Sequence, residues 1–236
     1  SRYYVLPTYF PQWLQPSPTP TTRVRPGAVP PPLPVASQSA ATLAAGAAAD
    51  QLLAKLTPRQ KVAQLLAVPV VLSSQATAPV ATSAAYLAQE LPGMITIFGE
   101  RVPALQADQL ARLVETAPTR PEYRQLQPEL SPLQQQMLRS LIAVDHEGGS
   151  VQRLNGEGMT RLPAASQQCQ LSREELKSLL DRSAKELRSV GVDVVFAPVL
   201  DLAVNHPVLR TRICSDDPNV VDVYAQYWIS SLEAQG

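Results

Sequence analysis

Two carboxylates, a histidine and two glycines stand together at Asp145-His146-Glu147-Gly148-Gly149, directly after the apolar run Leu141-Ile142-Ala143-Val144. Carboxylates accept hydrogen bonds and trade protons, and glycines let a backbone turn sharply and come close to a ligand. The apolar run gives the cluster its setting. Its length and its polar and glycine flanks predict a strand over 140–144, buried on both faces in a parallel sheet covered by helices. Asp145 then stands at the strand's C-terminal end, where the loops of α/β folds line a shared crevice.

The rest of the chain supplies elements that could hold such a strand. Alanine-rich residues 39–56 favour a helix, and Thr57-Pro58-Arg59-Gln60 is a capping box with proline at the first helical position. A strand is predicted over 66–72, a helix over 82–91, a strand over 93–99 and a helix over 103–117. Residues 118–130 read as a proline-broken insertion, and Ser131-Pro132-Leu133-Gln134 is a second capping box leading to the Asp145 strand. After the glycine turn, 155–170 is expected to loop over the site. Ser172-Arg173-Glu174-Glu175 caps a helix with an apolar face at Leu176, Leu179, Leu180, Ala184 and Leu187, and Gly191 is placed to stop it. A fourth strand over 192–202, a polar loop over 203–217 and a last helix from Pro218 to about Gln235 complete the reading. Four alternations of strand and helix predict a parallel sheet built by right-handed crossovers.

Composition narrows the function. The 236 residues carry 20 Lys plus Arg against 20 Asp plus Glu, so nothing electrostatic points to nucleic acid. No apolar run reaches the ~18 residues that span a bilayer, and no signal peptide is visible. The start at Ser1 rather than Met reads as a mature or trimmed product. Residues 1–38 form a separate segment: ten of the 23 prolines fall by residue 36, which predicts an extended proline-rich arm. Tyr3, Tyr4, Tyr9, Phe10 and Trp13 crowd its beginning, a composition suited to packing on a partner or at a membrane interface. Cys169 and Cys214 permit one disulfide without demanding it, and two unpaired thiols are the plainer expectation. No spacing of Cys or His points to a metal.

Residues 142–154, with Thr160-Arg161-Leu162-Pro163, resemble the signature of glycoside hydrolase family 3, in particular its β-N-acetylglucosaminidase branch. The resemblance implies a TIM-type (β/α)8 barrel. An eight-stranded barrel takes about 250 residues, so the α/β reading becomes an incomplete barrel of about four βα units over 39–236, preceded by the arm. It stops where a fifth strand is due, leaving strand edges and an apolar inner face uncovered. By the same resemblance Asp145, Arg153 and Arg212 bind sugar hydroxyls, a carboxylate accepting and guanidinium forks donating. His146, Glu147, Gly148, Gly149 and Asp201 support them. The family needs no metal or organic cofactor.

The departures from the pattern weigh as much. Ser150 stands where the family usually carries Arg, and Ile213-Cys214-Ser215 replaces its Ser, aromatic and Gly. The family's Lys-His-Phe-Pro-Gly-His-Gly segment, its nucleophilic aspartate and its acid/base loop have no counterpart here. A retaining glycosidase needs both a nucleophile and a proton donor, so no catalytic residue is assigned and the chain is expected to be inactive alone. The first reading is the N-terminal half of an enzyme that hydrolyses terminal β-N-acetylglucosaminyl residues of cell-wall-type glycans. The alternative is a degenerate, inactive homologue serving as a structural or accessory subunit of a membrane-associated complex. A third is a half barrel completed by a separate chain. All three expect an amino-sugar ligand where binding persists, a protein partner or missing C-terminal half over the open sheet, and an extracytoplasmic or membrane-associated setting.

Overall fold

The computed structural model describes residues 40–73, 87, 91–116, 121–202 and 205–235. The arm at 1–38 and most of the helix expected over 82–91 lie outside the described residues. Helix α1 (Ala40–Lys55) leads to α2 (Pro58–Ala63), which starts where the sequence predicts: Thr57 Oγ1 accepts from Gln60 N and the Gln60 side chain accepts from Thr57 N. Strands β1 (Ala67–Ser73) and β2 (Met94–Glu100) follow, then α3 (Ala104–Thr116). The proline-broken stretch holds α4 (Pro121–Arg124) and a 3-10 turn at Gln127–Glu129. The Ser131/Gln134 box starts α5 (Pro132–Met137), which delivers the chain to β3 (Leu141–Val144). Two short strands, β4 (His146–Gly148) and β5 (Val151–Gln152), then precede α6 (Ala165–Gln168), α7 (Arg173–Ser189), β6 (Val194–Val195) and α8 (Pro218–Glu233).

The main sheet is parallel, in the order β1-β2-β3-β6. Each strand lies beside the one before it, as right-handed βα units laid side by side require. One face is packed. Val70, Leu72, Ile95, Ile97, Ile142 and Val144 meet Leu110 and Val114 of α3 and Leu187 of α7 in one buried cluster. At ~25 cal/mol per Å² of apolar surface removed from water, this cluster is the main source of the sheet's stability. The other face is open: Val71 is 50% exposed, Phe98 37% and Leu141 40%. On that side Ala143 is fully buried, and Met94 and Thr96 are partly covered. The expectation of burial on both faces, made for the strand over 140–144, holds for Ile142, Ala143 and Val144 but not for Leu141, and in β1 and β2 side chains alternate between the helices and solvent.

Two further differences have local causes. The fourth strand, expected over 192–202, is confined to Val194–Val195, with one more ladder bond from Phe196 N to Val144 O at 2.9 Å. Its neighbour β3 ends at Val144, so nothing remains to pair beyond it, and Pro198 has no N–H to offer. The glycine turn after Asp145 is also more ordered than expected. It is an antiparallel hairpin in which His146 pairs with Gln152 and Gly148 with Val151.

The N-terminal end of the sheet is closed by charge. Arg139 donates to Asp193 through Nη1 at 2.9 Å and Nη2 at 2.5 Å, and Ile142 N donates to the same carboxylate at 2.9 Å. This joins the start of β3 to the residue before β6, at the end of the sheet away from Asp145.

Candidate sugar-binding site at the strand ends

Alternation along β3 places Asp145 on the side of Leu141 and Ala143, the open face. Arg153, eight residues on, returns beside it across the hairpin: its N–H donates to Asp145 O at 3.1 Å and its Nη2 to Asp145 Oδ2 at 3.2 Å. The guanidinium also lies 5.6 Å from the centroid of the Phe98 ring, close enough for a cation–π contact. Phe98 belongs to the open face of β2, so the aspartate, the arginine and the ring form one corner at the C-terminal end of the sheet.

Glu147, unlike Asp145, is buried. It meets Arg212, which sits in a 3-10 turn at Arg210–Arg212 and donates through Nε at 2.8 Å and Nη2 at 2.7 Å to the two carboxylate oxygens. This bidentate fork holds the Arg212 guanidinium above its usual pKa, and the negative charges of Glu147, Asp145 and Asp201 add to the effect while burial opposes it. Arg212 thus lies within electrostatic reach of all three carboxylates. Asp201 itself is exposed. The fork leaves Nη1 and one Nη2 proton of Arg212 uncommitted among the described residues.

Gly148 and Gly149 take φ of +99° and +59°. They let the hairpin press against the loop behind it, where Gly149 N donates to Leu162 O at 3.0 Å. Beneath them Gln168, fully buried, fills all its hydrogen-bonding positions. Nε2 donates to Glu147 O at 2.8 Å and Pro163 O at 2.7 Å, and Oε1 accepts from Tyr224 Oη and Trp228 Nε1, both at 3.2 Å. Burial pushes the Tyr224 phenol up, which keeps it protonated as the donor this arrangement needs. Nothing in the sequence singles out Gln168. Its only flag is its neighbour, because Cys169 and Cys214 are bridged, with Cα atoms 5.6 Å apart. The expectation of two unpaired thiols is thereby corrected: the 3-10 turn packs on α6 and brings the two cysteines together.

His146 is fully buried. Its Nε2 lies 3.0 Å from Ser183 Oγ and 3.3 Å from Gln152 Nε2, and desolvation lowers its pKa from 6.5 to about 4. The unfolded chain binds a proton here below about pH 6.5, whereas the folded chain binds one only below about pH 4. Stability should therefore fall with acidification across that window, by about 2–3 kcal/mol from this group. Urea midpoints at pH 7 and pH 4.5 should show the loss, and His146→Gln should remove most of it. An unchanged pH slope in that variant would mean that other groups carry the effect.

The described residues hold no group of three or more His, Cys, Asp or Glu placed to bind a metal. The cluster instead joins two guanidiniums with Asp145, Glu147 and Asp201. Two positive charges stand against three negative ones, so the cluster offers a polyanion no excess of positive charge. Residues 57–236 match the glycosyl hydrolase family 3 N terminal domain. The chain belongs to glycosyl hydrolase family 3. Within the family it is similar to a beta-hexosaminidase of Thioalkalivibrio sulfidiphilus, 43% identical over 106 residues that make up 42% of this chain and 30% of that protein. Among solved structures it resembles LpqI of M tuberculosis, with a TM-score of 0.58 and 27% identity over 78% of this chain and 48% of that one. It also resembles NagZ of Neisseria gonorrhoeae in complex with N-trifluoroacetyl-D-glucosamine, with a TM-score of 0.51 and 26% identity over 73% and 48%. The chain thus spans about 30% of that curated relative and about half of those solved chains.

Proposed function

We propose that this chain carries the sugar-binding half of a family 3 (β/α) barrel that acts on terminal β-N-acetylglucosaminyl residues of cell-wall-type glycans by a retaining mechanism. The observation that carries the reading is the corner at the end of β3, where a half-exposed Asp145 sits beside two guanidiniums, each fixed by its own carboxylate. Asp145 accepts from sugar hydroxyls, Arg153 and the free side of Arg212 donate to others, and the Phe98 ring limits the open side. Glu147, Gln168 and the two glycines hold these groups in place, and Asp201 contributes charge from the neighbouring loop. Support comes from the relatives that are named beta-hexosaminidases and from the amino-sugar derivative held by the Neisseria structure.

The nucleophile and proton donor have no counterpart at matching positions, so turnover requires residues from outside this stretch. The open face of Val71, Phe98 and Leu141 is the surface that such residues, or a partner chain, would cover. That apolar face also favours the second reading, an accessory subunit that keeps the fold and binds a partner. An oxidising, extracytoplasmic setting fits the disulfide. No helix among the described residues is long and apolar enough to cross a membrane; attachment at a membrane is assigned to the aromatic residues of the arm.

The test is binding of N-acetylglucosamine followed by ligand-observed NMR. Asp145→Ala removes a charged acceptor worth about 2 kcal/mol, so affinity should fall roughly thirty-fold with the far-UV spectrum unchanged. A wild-type chain that does not bind the sugar, or a variant that binds it equally well, would overturn the sugar-binding reading. Hydrolysis of a chromogenic β-N-acetylglucosaminide by this chain alone would overturn the assignment of catalysis to residues outside it.

A further inference from the structure

The loop that carries Arg212 is tied to the domain at few points. Among the described residues, the hydrogen bonds of residues 205–216 other than the Arg212 fork stay within the loop and its junction with α8. Arg210 N donates to His206 O, Arg212 N to Leu209 O and Ile213 N to Arg210 O, while Val208 N and Leu209 N both donate to His206 Nδ1. What fastens the loop to the rest is the fork to Glu147, the packing of the 3-10 turn on α6, the burial of Ile213 and Cys214, and the bridge from Cys214 to Cys169. These ties close on themselves. From the Glu147 carboxylate the path runs through Arg212, Ile213 and Cys214, across the two sulfurs to Cys169 and Gln168, and back through Gln168 Nε2 to Glu147 O.

We propose that the Cys169–Cys214 disulfide is a redox-sensitive staple that determines whether the Arg212 fork is held at the end of β3. Cys169 is the more exposed of the two cysteines, although Cys214 also borders a groove, with His206, Arg210 and Ile213. Cys169 is half-buried and opens onto a groove lined by Leu171, Arg173, Val223 and Tyr227, whereas Cys214 is 9% exposed. A small dithiol enters there. One of its thiolates attacks Cys169 Sγ, the S–S bond breaks, and Cys214 leaves as a thiolate that takes up a proton. The second thiol of the reagent then displaces Cys169 and closes the reagent into a cyclic disulfide, so that two electrons and two protons end on the two cysteines. The cluster that packs the sheet against α3 and α7 contains neither cysteine, so the sheet outlasts the bridge. The loop keeps one ion pair, one buried isoleucine and its packing on α6, but no covalent tie, and Arg212 leaves Glu147 for part of the time.

The fold has a reporter beside the bridge. Trp228 donates to Gln168, the residue next to Cys169, and shares a buried cluster with Cys214; the only other tryptophan is Trp13. The experiment uses the full chain with Trp13→Phe, titrated with dithiothreitol in its reduced and oxidised forms. It follows indole fluorescence, far-UV circular dichroism and hydrogen exchange of the peptide over 205–214. The expected result is one two-electron transition in fluorescence, unchanged helix content, and about a tenfold loss of protection in that peptide while the peptides of β2 and β3 stay protected. Reoxidation should restore all three signals. The staple is overturned if the 205–214 peptide exchanges equally in both states, if the whole domain loses its helix signal on reduction, or if both thiols are free in the protein as purified under oxidising conditions. No sugar is needed for any readout, so the outcome is independent of the ligand proposed above.

Discussion

Gln168→Leu should destabilise the domain by about 5 kcal/mol, read as a shift of the urea midpoint. Leucine fills nearly the same space, so little cavity is created. The loss comes from four groups left behind: the carbonyls of Glu147 and Pro163, the Tyr224 hydroxyl and the Trp228 indole N–H, all of which Gln168 satisfies in the wild type. Each buried group without a partner costs about 1–3 kcal/mol, and small relaxations recover part of the total. Gln168→Glu makes the comparison sharper. It keeps an oxygen for Tyr224 and Trp228 but turns a negative charge towards two carbonyls, so its penalty should shrink as the solution is acidified and the new carboxyl protonates. A loss below about 1 kcal/mol in Gln168→Leu would mean that the network does not hold the hairpin to α8.

Gly148→Ala should come close behind, at about 4 kcal/mol, with strain and overpacking each contributing ~1–3 kcal/mol. The φ of +99° lies where side chains are rarely tolerated, and an added Cβ would stand 2.3 Å from Pro163 O and 2.7 Å from Gln168 Nε2. Backbone cannot swing aside as a flexible side chain can. Gly149 gives the internal control. Its φ of +59° is open to other residues at modest cost, and its Cβ would meet the Ala164 methyl at 2.8 Å and the Ala164 Cα at 2.9 Å, looser contacts than the 2.3 Å to a carbonyl oxygen at Gly148. Gly149→Ala should therefore lose less, about 2 kcal/mol. Equal losses at the two positions would mean that the close approach to Pro163 is not what fixes Gly148.

Much of the scaffold is written locally. Thr57, Ser131 and Ser172 each open the helix that their capping boxes predict, and the runs that end at Leu72, Gly99 and Val144 each become parallel strands. Local residue types decide such features, so reading along the chain finds them. Asp145 and Glu147 stand out as carboxylates directly after an apolar run, whereas Arg153 and Arg212 enter only through the family resemblance, and the structure joins Asp145 to Arg153 and Glu147 to Arg212. What escaped depends on neighbours distant in sequence. Gln168 meets Glu147 from 21 residues away and Trp228 from 60, and Cys169 finds Cys214 across 45. The length of β6 is set by where β3 stops, which the sequence of β6 does not contain. The hairpin was hidden by its own glycines, which read as a turn because a two-residue strand carries no periodicity.

The strand order also fixes a timetable. Because β1, β2, β3 and β6 stand in the sheet in the order in which they occur along the chain, a chain leaving the ribosome N-terminus first lays each strand against one already present. Asp145 and Arg153 can face each other once the hairpin has emerged, before α7 exists. Arg212 follows nearly sixty residues later, several seconds at ordinary rates of synthesis, and Cys214 emerges two residues after it. During that interval Glu147 is an acidic group with no cation beside it, and the arrival of one short loop supplies both the counter-charge and the thiol that secures it.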